Sequence, residues 1–124
     1  LCMKEENIVL LRNIVHSEEF DRFYSSMKPA VQKKIDWNLM LIESIQILSV
    51  KIVKKLIDTS FYELRVSVDN EYRVILFAID KPNLMEARKV LLLNGFIKKS
   101  TKDYKREIKI AQKLLKDYTD GNYE

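Results

Sequence analysis

Phe61-Tyr62-Glu63-Leu64-Arg65-Val66-Ser67-Val68, then Asp69-Asn70, then Tyr72-Arg73-Val74-Ile75-Leu76-Phe77-Ala78-Ile79 is the stretch whose reading decides the fold. In the first run Tyr62, Leu64, Val66 and Val68 alternate with Phe61, Glu63, Arg65 and Ser67, the period of a strand with one apolar face. Asp69-Asn70 supplies turn chemistry. The second run is apolar on both faces apart from Arg73, which predicts a central strand. Lys81-Pro82-Asn83 breaks it. Arg88–Lys98 predicts a third strand with Val90, Leu91, Leu92 and Leu93 as its core. Short turns cannot join parallel neighbours, so the three strands are expected to form an antiparallel meander.

Towards the N-terminus the period lengthens. Pro29 suits the first turn of a helix, and Val31, Ile35, Leu39, Ile42 and Ile45 recur at helical spacing to about Leu48. Before it, Ser17 can cap a shorter helix running to about Met27, with Glu18 and Glu19 at its positive end. Asn7–Leu11 reads as a leading strand. Towards the C-terminus, Ser100 or Thr101 caps a last helix with the apolar stripe Tyr104, Ile108, Ala111, Leu115 and Tyr118, and Gly121 suits the exit. The order is strand, two helices, three strands, helix: an α+β fold in one domain, 1–124. The helices are expected to cover one face of the sheet and leave the other partly open to a ligand.

Composition narrows the function. Two glycines and two prolines in 124 residues leave no low-complexity linker. Cys2 is the only cysteine, which excludes an intramolecular disulfide and fits a reducing compartment. No apolar run approaches a membrane span and no small-residue cleavage site follows the apolar stretch Asn7–Val15, so a cytoplasmic protein with no membrane partner is expected. Residues 88 to 116 hold ten basic residues and two acidic ones, a balance of +8; the whole chain carries +4, so the remainder carries −4. That asymmetry points to an anionic partner for the C-terminal third, against the plain alternative of a solvated lysine-rich helix.

Familiar catalytic motifs are absent: there is no Gly-rich phosphate loop and no metal-ligand spacing, so no metal or cofactor is expected. His16, the only histidine, is read as a residue at the start of the first helix without a catalytic role. Three segments remain: Tyr62-Glu63-Leu64-Arg65, Glu71-Tyr72-Arg73-Val74, and Leu92-Leu93-Asn94-Gly95-Phe96-Ile97-Lys98-Lys99-Ser100. Taken singly, each has a plain structural reading: ion pairs for the arginines, solubility for the lysines, core for Phe96. Together they put guanidinium and ammonium groups on neighbouring strands, which is what binding a phosphodiester requires. Arg65 and Arg73 share a face only if Val68-Asp69-Asn70 forms a three-residue loop; a strict two-residue turn sends them to opposite faces.

In order and spacing these segments closely resemble the HigB-like branch of the RelE/ParE toxins. Tyr104-Lys105-Arg106-Glu107-Ile108 through Ala111 resembles the helix that ends those proteins, with Tyr104 where proline is usual. Phe20 and Val53-Lys54-Lys55-Leu56 match the looser N-terminal pattern. The resemblance implies the RelE-like fold: a small twisted antiparallel sheet, two N-terminal helices and a C-terminal helix. It also implies the toxin of a type II toxin–antitoxin pair that cleaves mRNA on the ribosome and so inhibits translation and growth. A HigA-like helix-turn-helix antitoxin is implied as partner, with operator DNA bound only through that antitoxin.

Metal-free RNA cleavage uses the 2′-OH as an internal nucleophile, so the site must deprotonate it, stabilise charge and protonate the leaving oxygen. On this reading Arg73 stabilises charge, Arg65 positions the phosphate, and Lys98 binds a flanking phosphate or acts as an acid. Lys99, Phe96, Lys102, Lys105 and Lys109 contact RNA. The base stays unassigned, with Glu63 and Tyr104 as candidates. The rivals are a non-enzymatic ParE-like inhibitor of DNA gyrase and a plain RNA-binding module.

Overall fold

The computed structural model describes residues 10–121. Its elements are β1 (Asn13–His16), α1 (Glu18–Ser25), α2 (Pro29–Ser44), β2 (Val53–Lys55), β3 (Phe61–Val68), β4 (Asn70–Ala78), β5 (Lys89–Lys98) and α3 (Lys102–Thr119). They form one five-stranded sheet in the order β1-β5-β4-β3-β2. The meander β3-β4-β5 is antiparallel as expected, β2 joins β3 antiparallel, and β1 runs parallel to β5 at the far edge.

Four local readings change. The leading strand falls on Asn13–His16; of the expected Asn7–Leu11, residues 7–9 lie outside the described part and Leu10 and Leu11 are not strand. α2 stops at Ser44, where Ile45 turns to extended backbone, although Ile45 keeps the helical period. β2 is three residues long, too short to show a period in sequence. At the last helix Thr101 makes no side-chain cap; Asp103 instead accepts the backbone N–H groups of Lys99 and Ser100 at 2.7 and 3.0 Å.

The helices cover both faces of the sheet, not one. α1 and α2 lie over one face, where Phe20, Val31, Ile35 and Ile42 meet Leu64, Val66, Val74, Leu76 and Leu92. α3 covers the other, where Ala111 and its neighbours meet Phe61, Ile75, Leu91, Leu93 and Phe96. The reason is that β4 and β5 are apolar on both faces, and a doubly apolar strand needs two covers.

Two irregularities decide which side chains reach the α3 face. Val68 pairs with Asn70 and Asp69 takes a left-handed conformation (φ 65°), so the β3–β4 connection is the three-residue form and Arg65 stands opposite Arg73. On β5, Val74 pairs with Gly95 but Leu76 pairs with Leu92, so Leu93 and Asn94 together oppose Ile75. This bulge reverses the parity of the strand beyond it. Before it Leu91 and Leu93 face α3; after it Phe96 does, and Lys98, opposite Glu71, follows.

Arg12 holds the α1/α2 side together. Its guanidinium is buried and donates to five main-chain carbonyls: Ile42, Ile45 and Gln46 at the end of α2, and Leu84 and Met85 in the β4–β5 loop. α2 has no basic residue in its last turn, so Arg12 supplies the positive charge that the helix C-terminus favours. Burial lowers its pKa from the usual arginine value. At Gly95 a β-carbon would sit well inside 3.0 Å of the Phe23 ring, so this strand position has to lack a side chain for α1 to dock.

Candidate active site

On the α3 face, Glu63, Arg65, Arg73 and Glu71 project from two adjacent strands, and Tyr104 descends on them from the first turn of α3. The Tyr104 hydroxyl donates to Glu63 Oε1 and accepts from Arg73 Nε at 3.1 Å. Arg73 Nε lies 3.3 Å from the same Glu63 oxygen, and Arg65 Nε lies 3.7 Å from Glu63 Oε2. Arg73 Nη1 donates to Glu71 at 3.2 Å, and the Ser67 hydroxyl donates to Glu71 in turn. Two carboxylates and two guanidiniums thus balance in charge. The network is anchored from α3: Asn94, in the bulge, donates to the Glu107 carbonyl at 3.1 Å and its carboxylate at 2.9 Å.

This network floors a cleft of about 380 Å3 between β2, β3, the end of β5 and α3. Lys54, Lys55, Arg65 and Lys98 line it together with Glu63 and Tyr104. Lys98 Nζ stands 5.9 Å from the centre of the Tyr104 ring. Above the balanced floor, then, Lys54 and Lys98 add two ammonium groups that form no ion pair among the described residues, whereas the Lys55 ammonium turns to the other face, 5.9 Å from the centre of the Tyr62 ring, and donates to the Leu56 and Thr59 carbonyls.

The titration behaviour follows from burial. Burial and the hydrogen bond to Glu63 push the Tyr104 phenol up to about 12, against opposing help from Arg73. The phenol is therefore protonated at neutral pH and serves as a donor, which removes it as a resting base. Burial works against the Arg73 charge, but Tyr104, Glu71 and Glu63 outweigh it and hold the pKa above the ordinary value. The Ser67 hydroxyl, followed by Arg73, lowers the Glu71 carboxyl.

The expected site residues separate into three groups. Arg65 and Lys98 line the cleft; Arg65 keeps a side-chain exposure of 32%. Arg73, expected to stabilise charge on the phosphate, lies in the floor: its side chain is 2% exposed, beneath the Tyr104 hydroxyl. Phe96 is likewise buried, edge-to-face with Tyr104 at 5.5 Å, and is not free to stack on a base. Lys99, Lys102, Lys105 and Lys109 are exposed but lie outside the residues lining the cleft. His16 is remote from it, 3.3 Å from Asp21 at the start of α1. Lys54 and Lys55 were not named as site residues from the sequence, because β2 is too short to carry a signal. Their one sequence mark was the match of Val53-Lys54-Lys55-Leu56 to the looser family pattern.

No curated protein matches the sequence. Among solved structures the chain is similar to an E. coli RelE toxin variant in the free state with two arginines changed to alanine (13% identity, TM-score 0.59, 81% of this chain and 97% of that one). It is also similar to the isolated E. coli RelE toxin (17% identity, TM-score 0.52, 77% and 94%). At such identity the likeness establishes the fold, with its two N-terminal helices, sheet and C-terminal helix. The model of the Gp49-like family of phage-derived proteins matches residues 22–116, from within α1 to within α3, and takes in every residue lining the cleft. The chain therefore belongs to the Gp49-like phage-derived family and has the fold of the RelE toxins.

Proposed function

We propose that this protein is the HigB-like toxin of a toxin–antitoxin pair and that its α3-side cleft cleaves mRNA on the ribosome. The observation that carries the reading is the cleft itself: three cationic side chains, Arg65, Lys54 and Lys98, around a carboxylate–phenol pair, in a RelE fold. A phosphodiester needs cations for its oxygens, and 2′-OH attack needs a proton acceptor nearby.

In this mechanism Arg65, with Lys54, holds the scissile phosphate and stabilises its added charge. The 2′-OH gives its proton to the Tyr104 oxygen as the phenol proton passes to Glu63. The 2′-oxygen bonds to phosphorus, the bond to the 5′-oxygen breaks, and that oxygen takes a proton from Lys98. The products are a 2′,3′-cyclic phosphate and a 5′-OH. Arg73 is a positioning residue, fixing Tyr104 and Glu63 from below. The ribosome would supply the orientation of the RNA. A HigA-like antitoxin would hold the protein inactive and carry the operator-binding function, and the toxin would act in the cytoplasm.

Incubation with translating ribosomes and mapping of mRNA ends tests this. Cleaved mRNA with 5′-OH ends is expected. Intact mRNA with inhibited gyrase would assign the fold to the ParE-like activity, and RNA binding with both untouched would leave a binding module.

A further inference from the structure

α2 is apolar on two sides. Val31, Ile35 and Ile42 are buried against the sheet, yet Ala30, Trp37 and Met40 face outwards beside Lys33 and Lys34. α1 and α3 instead divide into one apolar and one polar side. A helix apolar around its circumference is normally covered on both sides. Trp37, the only tryptophan in the chain, is 57% exposed. With Met40 and Val68 it floors an open groove of about 680 Å3, larger than the cleft and on the opposite helical layer. Exposed tryptophan and methionine in a shared concavity are the residue types that anchor protein interfaces.

Charge selects the occupant. Lys33 and Lys34 stand on the groove wall, and neither has an ion-pair partner among the described residues. The carboxylate on the wall, Asp36, is engaged by the Tyr24 hydroxyl at 2.8 and 3.0 Å. A second copy packed by a two-fold axis through this face would set lysines against lysines. A nucleic acid would find two cations on an apolar floor, against three around the cleft. The outward residues 30, 33, 34, 37 and 40 repeat at helical spacing, so a helix laid beside α2 would meet them in sequence.

We infer that the outer face of α2 is a docking groove for an amphipathic, acidic helix of a partner protein, its apolar stripe on Trp37 and Met40 and its carboxylates on Lys33 and Lys34. The inference is independent of the chemistry in the cleft.

The test is selection on the full chain from a displayed library of amphipathic helices of about 18 residues, five turns. The apolar stripe is fixed and the flanking positions are free to be Glu, Lys or Ser. Enrichment of Glu flanks is expected. The selected peptide, made synthetically, should saturably blue-shift the Trp37 emission. Lys33→Glu/Lys34→Glu should weaken it at least about tenfold, or about 1.4 kcal/mol, with an unchanged melting temperature. Trp37→Ser should weaken it as much, read by a label on the peptide. Four results would overturn the inference: no enrichment, enrichment of Lys flanks, binding indifferent to both variants, or a blue shift that grows with protein concentration alone, which would make the occupant a second copy.

Discussion

The two faces of the sheet are built from the same three strands and differ in what they bury. Beneath α1 and α2 the strands contribute Leu64, Val66, Val74, Leu76 and Leu92, an apolar layer closed by apolar helix residues, with Asn38 and Arg12 buried at its margins on main-chain carbonyls. Beneath α3 the same strands contribute Glu63, Arg73 and Asn94 among the apolar residues, and α3 adds Glu107. Burying such groups is costly unless each finds a partner, so a fold gains nothing in stability from them that leucine would not supply. Both buried carboxylates among the described residues, Glu63 and Glu107, lie on the α3 face, and they mark it as the face with a task beyond folding. The helical hairpin side shows the complementary pattern: a sound core within, and an apolar surface left outside it.

Breaking the polar face should have the largest effect. Arg73→Met leaves Glu63 buried without its close cation, and removes a donor to Tyr104. The expected loss is about 3–5 kcal/mol, measured from urea unfolding. Adding Glu63→Gln should recover part of it, giving a coupling term in the double-mutant cycle. Additive losses would mean that the two groups do not act as a pair.

On the other side, Arg12→Met should cost about 3 kcal/mol, since several buried carbonyls lose their donor together. A shift in the urea midpoint without change in slope would report it. A substitution within about 0.5 kcal/mol of wild type would contradict the role given to Arg12. Gly95→Ala is smaller, about 1–3 kcal/mol, as the Phe23 ring must move from the strand. It should loosen α1 selectively, seen as faster amide exchange over Glu18–Ser25 than over α3.

Tyr104 gives a pH signature. Its folded pKa is raised, so the stability it confers is fully present below the ordinary tyrosine value near 10 and is lost as pH rises towards about 12. Alkaline absorbance titration should show Tyr104 ionising at about 12, beside Tyr24, which its hydrogen bond to Asp36 also raises, and Tyr104→Phe should remove the first component alone. A chain whose tyrosines all ionise near 10 would contradict the buried phenol.

The smallest effect belongs to the lysines of α3. Lys113 and Lys116 form ion pairs with Asp117 and Asp120 one turn on, whereas Lys102, Lys105 and Lys109 form none among the described residues. Reversing Lys105 and Lys109 to Glu should weaken ribosome co-sedimentation at low salt several-fold and reduce its salt dependence by roughly one unit for each phosphate no longer neutralised. Reversing Lys113 should change it less. Equal binding by all variants would leave the strip a solvated surface.

The meander was legible because Phe61–Val68 and Tyr72–Ile79 carry strong periods, and the capping chemistry of Ser17 and the exit at Gly121 were local signals. β2 was invisible because three residues carry no period. The second cover was missed although the doubly apolar β4 and β5 demanded it. At the candidate site, charge singled out Arg65 and Lys98, but their shared face depends on one left-handed residue and one bulge, neither of which alternation alone reveals. The burial of Arg73 and Phe96, which singly read as ion pair and core, depends on where Tyr104 lands, and Tyr104 meets Arg73 from 31 residues further along the chain. The groove on α2 escaped because Trp37 and Met40 read as part of an apolar helix, and sequence does not say which apolar side lacks a neighbour.

The most direct test of the difference between the faces is the rate of mRNA cleavage on translating ribosomes for two surface-reaching variants, Arg65→Ala and Trp37→Ser. Both positions reach solvent, so both proteins should fold. The account predicts that Arg65→Ala cleaves at least about 100-fold more slowly, the usual consequence of removing one stabiliser of transition-state charge, while Trp37→Ser cleaves at the wild-type rate. Full activity in Arg65→Ala, or an equal loss in Trp37→Ser, would contradict it.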